Sequence, residues 1–142
     1  MKLERVEHID FVVRDIARSV EFYKKLGLVV QRELDEGRTV FLWNEDQESP
    51  VVVELHQAGE GWLASRPPGL NHIAFHVDDV DAAYKELSEA GVSFSLEPQW
   101  GNRSGKTVAN VEDPDDMPLQ LAKEEVQEDA ARRGARVIVF PD

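Results

Sequence analysis

Polar and apolar side chains alternate over residues 7–14, with Ile9, Phe11 and Val13 on one face and His8, Asp10 and Val12 on the other, which predicts a strand with one face against a core. Asp15 then stands where a helix N-cap belongs, Ile16, Val20, Tyr23 and Leu26 follow at helical spacing, and Gly27 supplies the stop. Strands are predicted over 28–34 and 39–43, joined through Glu36-Gly37, whose glycine can take the positive φ of a tight hairpin. After a polar loop, 44–50, a fourth strand over 51–57 sets Val51, Val53 and Leu55 on one face and Val52, Glu54 and His56 on the other. Residues 58–70 contain Pro67-Pro68, which cannot pair in a sheet, and read as a connection. The order then repeats: strand 71–77, capping Asp79, helix to 90, Gly91, strand 92–96, loop 97–106, strand 107–112, turn 113–116 and strand 119–122. Residues 123–134 are charged and helix-permissive, and the apolar run 137–140 either adds a strand or covers a partner subunit.

The second half is a copy of the first. A shift of 64 positions lays His8 on His72, Ile9 on Ile73, Phe11 on Phe75, Val13 on Val77, Asp15 on Asp79 and Gly27 on Gly91. A shift of 66 lays the strand containing Glu54 over the one containing Gln120. A shared core explains the apolar residues and the glycines of such a repeat, but it does not explain the paired histidines. The expected fold is α+β within a single domain, 1–142, with module 1 at 1–58, a linker at 59–70, module 2 at 71–123 and a tail at 124–142. Each module is a βαβββ unit.

Cysteine is absent, so disulfides, thiolate ligands and a cysteine nucleophile are excluded and any metal must be held by nitrogen and oxygen. Sixteen basic against 28 acidic residues give a net charge of -12, which repels phosphate backbones and anionic lipid, so neither nucleic acid nor a membrane surface is expected as a partner. With no run of 18 apolar residues and no signal-peptide pattern, a cytoplasmic protein is expected.

Strand parity places His8, Glu54, His72 and Gln120 on the faces opposite the aliphatic ones. Imidazole nitrogen with carboxylate or amide oxygen suits Zn, Ni, Mn, Co or Fe. At these residues, and at Asn71-His72-Ile73-Ala74-Phe75-His76-Val77 and Glu112-Asp113-Pro114-Asp115, the chain resembles the vicinal oxygen chelate superfamily, which contains glyoxalase I, extradiol dioxygenases, methylmalonyl-CoA epimerase and the bleomycin resistance proteins. The resemblance implies two tandem modules forming a curved mixed sheet around a central cleft, a divalent metal among His8, Glu54, His72 and Gln120, a small-molecule substrate and a homodimer. Its pattern is nearest to glyoxalase I, which implies a lyase or isomerase acting through enediolate-type chemistry, with Glu54 as the ligand able to shuttle a proton. Glyoxalase I carries a glutamate where this chain has Gln120, and an amide cannot serve as a general base. The resemblance leaves two alternatives: an iron-dependent extradiol-type dioxygenase, or a metal-free binding protein of the bleomycin resistance kind.

Other residues are candidates by position. His56 lies two residues from Glu54 on the same face, roughly 7 Å away, and could contact substrate or relay a proton, whereas His76 stands roughly 13 Å from His72 along its strand. Trp43, Trp62 and Trp100 could wall an organic substrate, and Arg38 and Arg103 could hold a carboxylate or phosphate.

Overall fold

The computed structural model describes residues 1–61 and 65–141. It has the expected α+β class, with nine strands and three α-helices among the described residues. The chain divides into two compact units, one running from His8 to His72 and the other joining Met1–Glu7 to the chain from Ile73 onward. Both boundaries fall inside strands, within β1 (Leu3–Val13) and β5 (Gly69–Val77).

In the His8–His72 unit the strand order is β2 (Val29–Leu34), β3 (Thr39–Trp43), β4 (Val52–Gln57), β1. β1 and β4 run parallel with Ile9 opposite Val53, Asp10 opposite Glu54 and Val12 opposite His56, and β3 pairs antiparallel with β4 so that Thr39 faces His56 and Phe41 faces Glu54. Successive side chains alternate between sheet faces, so one set of odd and even positions goes to each side. Phe11, Val13, Val40, Leu42, Val53 and Leu55 form a core with Ile16, Val20 and Tyr23 of α1 (Ile16–Lys25). The opposite face receives His8, Asp10, Glu54, His56, Thr39 and Phe41, as the alternation requires. Asp15 caps α1 by accepting from the Arg18 N–H at 3.2 Å. Gly27, at φ 94, ends it, with the Gly27 N–H bonded to Lys24 O and the Leu28 N–H to Tyr23 O.

The other unit repeats the plan with strand order β5, β8 (Pro118–Glu124), β7 (Lys106–Glu112), β6 (Phe94–Gly101), β9 (Val137–Ile138), and with α2 (Val80–Glu89) capped by Asp79. Its parallel pair has Ile73 opposite Leu119 and Ala74 opposite Gln120, the same register that shifts of 64 and 66 produce from Ile9–Val53 and Asp10–Glu54. Val77, Val80, Ala83, Ala109 and Leu121 form its core. Arg133, just beyond α3 (Gln127–Arg132), binds both oxygens of Glu125 at 2.6 and 2.8 Å, the Thr107 hydroxyl at 3.0 Å, and Asp81. Hydrogen bonding to this guanidinium, with a smaller contribution from its charge, holds the Glu125 carboxyl below the usual carboxylate range.

Two expectations are corrected. Residues 97–101, expected in a loop, continue β6 through Pro98. Proline cannot donate to a ladder, and the strand accommodates it at a register irregularity between Leu96 and Gln99. The predicted hairpin at Glu36-Gly37 begins one residue earlier, since Asp35, Glu36 and Gly37 all take positive φ, at 55, 57 and 84. The apolar run 137–140, left open between strand and interface, contributes Val137–Ile138 as β9 along β6, while Val139 and Phe140 remain exposed. Among the described residues no helix is long and apolar enough to cross a membrane.

Leu55 is fully buried between Glu54 and His56 in sequence and anchors the strand that presents both. Leu55→Ala is expected to cost about 3 kcal/mol, through lost burial and the cavity left behind. The urea midpoint of the whole chain should fall accordingly, and an unchanged midpoint would mean that this core does not support the strand.

Candidate functional site

Five ionisable side chains meet on the polar face of the His8–His72 unit. His8 and His72 bring their Nε2 atoms within 2.9 Å of each other, and the Oδ2 of Asp10 lies 3.6 Å from the same His72 nitrogen. Asp10 Oδ2 also accepts from His56 Nε2 at 2.9 Å, and Glu54 Oε2 accepts from that nitrogen at 2.8 Å. Asn71 Nδ2 donates to Asp10 Oδ1 at 3.2 Å. Thr39 Oγ1 is 3.1 Å from His56 Nδ1 and donates to Asp35 Oδ2 at 3.3 Å. Asp10 is thus common to two groupings with metal-ligating donors, His8–Asp10–His72 and Asp10–Glu54–His56. Asp10 is 0% exposed, and His8, His56 and Glu54 are also buried, so the cluster sits largely out of water.

The family model described as the glyoxalase/bleomycin resistance protein/dioxygenase superfamily matches residues 5–121, a span that contains all of these side chains. The chain belongs to this superfamily. It is 32% identical over 127 residues to the uncharacterized protein YwkD of Bacillus subtilis (strain 168), covering 85% of this chain and 98% of that protein. It is 34% identical over 116 residues to an ethylmalonyl-CoA/methylmalonyl-CoA epimerase of Cereibacter sphaeroides, covering 73% of this chain and 84% of that one. Among solved structures, the methylmalonyl-CoA epimerase from Mycobacterium tuberculosis superimposes with a TM-score of 0.69 at 19% identity, over 90% of this chain and 93% of that one. A Streptomyces coelicolor methylmalonyl-CoA epimerase in complex with 2-nitronate-propionyl-CoA gives 0.69 at 24% identity, over 88% of this chain and 100% of that one. At these identities the superpositions establish the shared fold.

Within this superfamily member the burial of three ionisable groups side by side sets their charges. Burial raises the Asp10 carboxyl well above its ordinary range, and hydrogen bonding to Glu54 and the repulsion of its charge raise it further, with His56 pulling the other way. Burial would raise Glu54 too, but hydrogen bonds from Asp10 and His56 and the charges of His8 and His56 outweigh it and hold Glu54 well below the usual carboxylate range. His56 is disfavoured as a cation by burial, yet its bonds to Asp10 and Glu54 raise it to about 9. The hydrogen-bond directions agree: Nε2 faces two carboxyl oxygens, and Nδ1 faces a hydroxyl whose own proton is given to Asp35, so both ring nitrogens donate. At neutral pH the cluster therefore holds an ionised Glu54 and a cationic His56, with Asp10 between them shifted toward its neutral form.

The residues expected from sequence are distributed as follows. His8 and His72 are in direct contact, and Glu54 is linked to them through Asp10 and His56. Gln120 belongs to the other unit, where its Nε2 donates to Asn110 Oδ1 at 3.0 Å. Trp43 lies on the polar face of β3, in line with Phe41, whose ring carries the Arg32 guanidinium at 4.3 Å. Trp100 is buried in the other unit, and its indole N–H donates to Glu125 O at 2.6 Å. Arg103 lies in the turn after β6, Arg38 donates to Asp35 O at 3.0 Å, and Trp62 lies outside the described residues. His76 stands in a separate surface grouping with Glu4 and Asp78. Sequence reasoning missed Asp10, Thr39 and Asn71. The signal for Asp10 was present, since it shares the parity of His8 in the same strand.

The raised His56 links the cluster to stability. In the folded chain it keeps a proton that the unfolded chain releases near pH 6.5, so this stabilisation is complete below about 6.5 and is lost as pH rises through about 9. Asp10, also raised, loses stability with rising pH as well, whereas Glu54, lowered, contributes above its unfolded value and loses its contribution only in acid. The loss on the order of 3 kcal/mol should appear as a fall in Tm from pH 6.5 to 9.5, measured with chelator present, that is steeper in the parent than in His56→Gln. Parallel declines would mean that His56 is not held as a cation.

Proposed function

We propose that the chain is a divalent-metal-dependent isomerase or lyase that removes and returns a proton on the carbon beside a carbonyl of a small oxygenated substrate. The observation that carries this reading is the convergence of the His8 and His72 Nε2 atoms at 2.9 Å with a buried carboxylate beside them. Ligand distances near 2.1 Å put neighbouring donors of one ion about 3 Å apart, so this donor set fits a cation. A bound divalent ion would supply Lewis-acid polarisation of substrate oxygens.

The chain's own residues supply the remainder. Glu54, ionised at neutral pH, receives the proton on a carboxylate oxygen. His56, bonded to Glu54 Oε2 at 2.8 Å, fixes the direction of that carboxylate, and Thr39 holds the imidazole from its other nitrogen. Burial keeps competing water from the reacting carbon. The proton leaves carbon, its bonding pair moves toward the carbonyl oxygen, and the proton returns to carbon, so the reaction is redox-neutral and needs no co-substrate.

The epimerase of Cereibacter sphaeroides favours a coenzyme A thioester as the substrate. In methylmalonyl-CoA the stereocentre lies between two carbonyl carbons, so inversion requires this proton movement. The His8, Glu54 and His72 pattern favours, as a second reading, a glyoxalase-type reaction on the hemithioacetal of a 2-oxoaldehyde.

The test is proton exchange in D2O, followed by NMR, with methylmalonyl-CoA and with the methylglyoxal–glutathione hemithioacetal, after loading with Zn, Ni, Mn or Co. One substrate should exchange its C–H, and Glu54→Gln should slow that exchange at least about 100-fold. Absence of exchange on both substrates in protein that has taken up metal would overturn the reading.

A further inference from the structure

We infer that Asp10 is itself a direct metal ligand, joining His8 and His72 in place of the amide of Gln120. This rests on the metal site of the reading above, but not on the reaction assigned to it.

A carboxylate that only orients a metal-bound imidazole binds the ring nitrogen remote from the ion. Asp10 Oδ2 instead stands 3.6 Å from His72 Nε2, the nitrogen that already lies 2.9 Å from His8 Nε2. Nε2 of His8, Nε2 of His72 and the Asp10 oxygen therefore gather around one point, with all donors of this grouping within 4.8 Å of one another. Separations of 2.9 and 3.6 Å bracket the edge of about 3.4 Å expected between donors about 2.1 Å from a tetrahedral ion.

Asp10 is also fixed as a ligand should be. Asn71 holds its Oδ1 at 3.2 Å and the His56 ring meets its Oδ2 at 2.9 Å, so the carboxylate cannot swing away, and its backbone sits opposite Glu54 in the parallel ladder. Asp10 provides a negative ligand for a doubly charged ion, and Glu54 stands beside it as a second carboxylate that offsets the remaining charge. The repeat sharpens the point. The position equivalent to Asp10 in the second half is Ala74, opposite Gln120, so the half that has lost its carboxylate at one position also lacks one at the other. Both carboxylates of the repeat-equivalent pairs belong to the His8–His72 unit. Gln120 meanwhile has its amide nitrogen engaged by Asn110.

The experiment is a competition titration of the full chain with Zn(II) against a chromophoric chelator, together with the visible spectrum of the Co(II)-loaded protein. Asp10→Asn, which keeps volume and hydrogen-bonding shape, is expected to weaken Zn(II) at least tenfold and to change the Co(II) bands, and Gln120→Glu should bind within threefold of the parent. If Asp10→Asn does not fold in the presence of chelator, Asp10→Glu carries the test. That variant retains the charge but moves the donor by one methylene, and is expected to weaken Zn(II) at least threefold with altered Co(II) bands. Parent-like affinity and bands in whichever of these variants folds would overturn the assignment, as would a Gln120→Glu gain of tenfold or more. A parent that takes up no Zn(II) or Co(II) would overturn both this assignment and the metal-dependent reading. Because no turnover is measured, a chain that binds metal as described yet exchanges no substrate proton would refute the proposed reaction while leaving the ligand set intact.

Discussion

The parallel register of β1 with β4 sets Asp10 against Glu54 and Val12 against His56, and the chemistry of the His8–His72 unit depends on it. Paired residues in neighbouring strands point to the same face, so this one alignment stacks two carboxylates side by side and places an imidazole at their edge. A slip of one residue would exchange the polar set for Phe11, Val13, Val53 and Leu55, and the core would lose its apolar face with α1. The packing that stabilises the unit and the alignment that assembles the cluster are therefore the same constraint. That explains why so many ionisable groups persist on a buried face without the strands separating.

Burying such groups costs free energy that the cluster recovers only by mutual pairing. Asp10 is shifted toward its neutral form, Glu54 toward its anion and His56 toward its cation, and each shift is stabilised by the others through contacts of 2.8 and 2.9 Å. The arrangement is tense, since removing any one member leaves a buried charge or donor unmatched. A cation bound among His8, His72 and the two carboxylates would satisfy the same groups from the other side. Uptake of such an ion would thus be coupled to proton release.

Much of this was legible in the chain. Alternation in residues 7–14 and 51–57, the capping positions of Asp15 and Asp79, and the displacement by 64 residues led to the elements and faces observed and to two histidines that the fold brings into contact, because side-chain parity and helix capping are local properties. The superfamily followed from the same residues. That Asp10 shares the face of His8 was legible from parity, but that Glu54 lies beside it depends on the register of β1 with β4, which neither strand conveys alone. The roughly 7 Å expected between Glu54 and His56 is a backbone distance, and rotamers close it to a 2.8 Å contact that no spacing rule conveys. Pro98 concealed the continuation of β6, since a bulge depends on the partner strand rather than on the run itself.

The polar face of the His8–His72 unit is proposed as a divalent-cation site. Elemental analysis of protein purified without chelators, compared with a His8→Ala, His72→Ala double variant prepared in parallel, tests it most directly. One equivalent of a divalent transition metal per chain in the parent, and none in the double variant, is the predicted result. Parent protein that contains no metal and acquires none on exposure to Zn, Ni, Mn, Co or Fe, or a double variant that retains the parent's content, would contradict it.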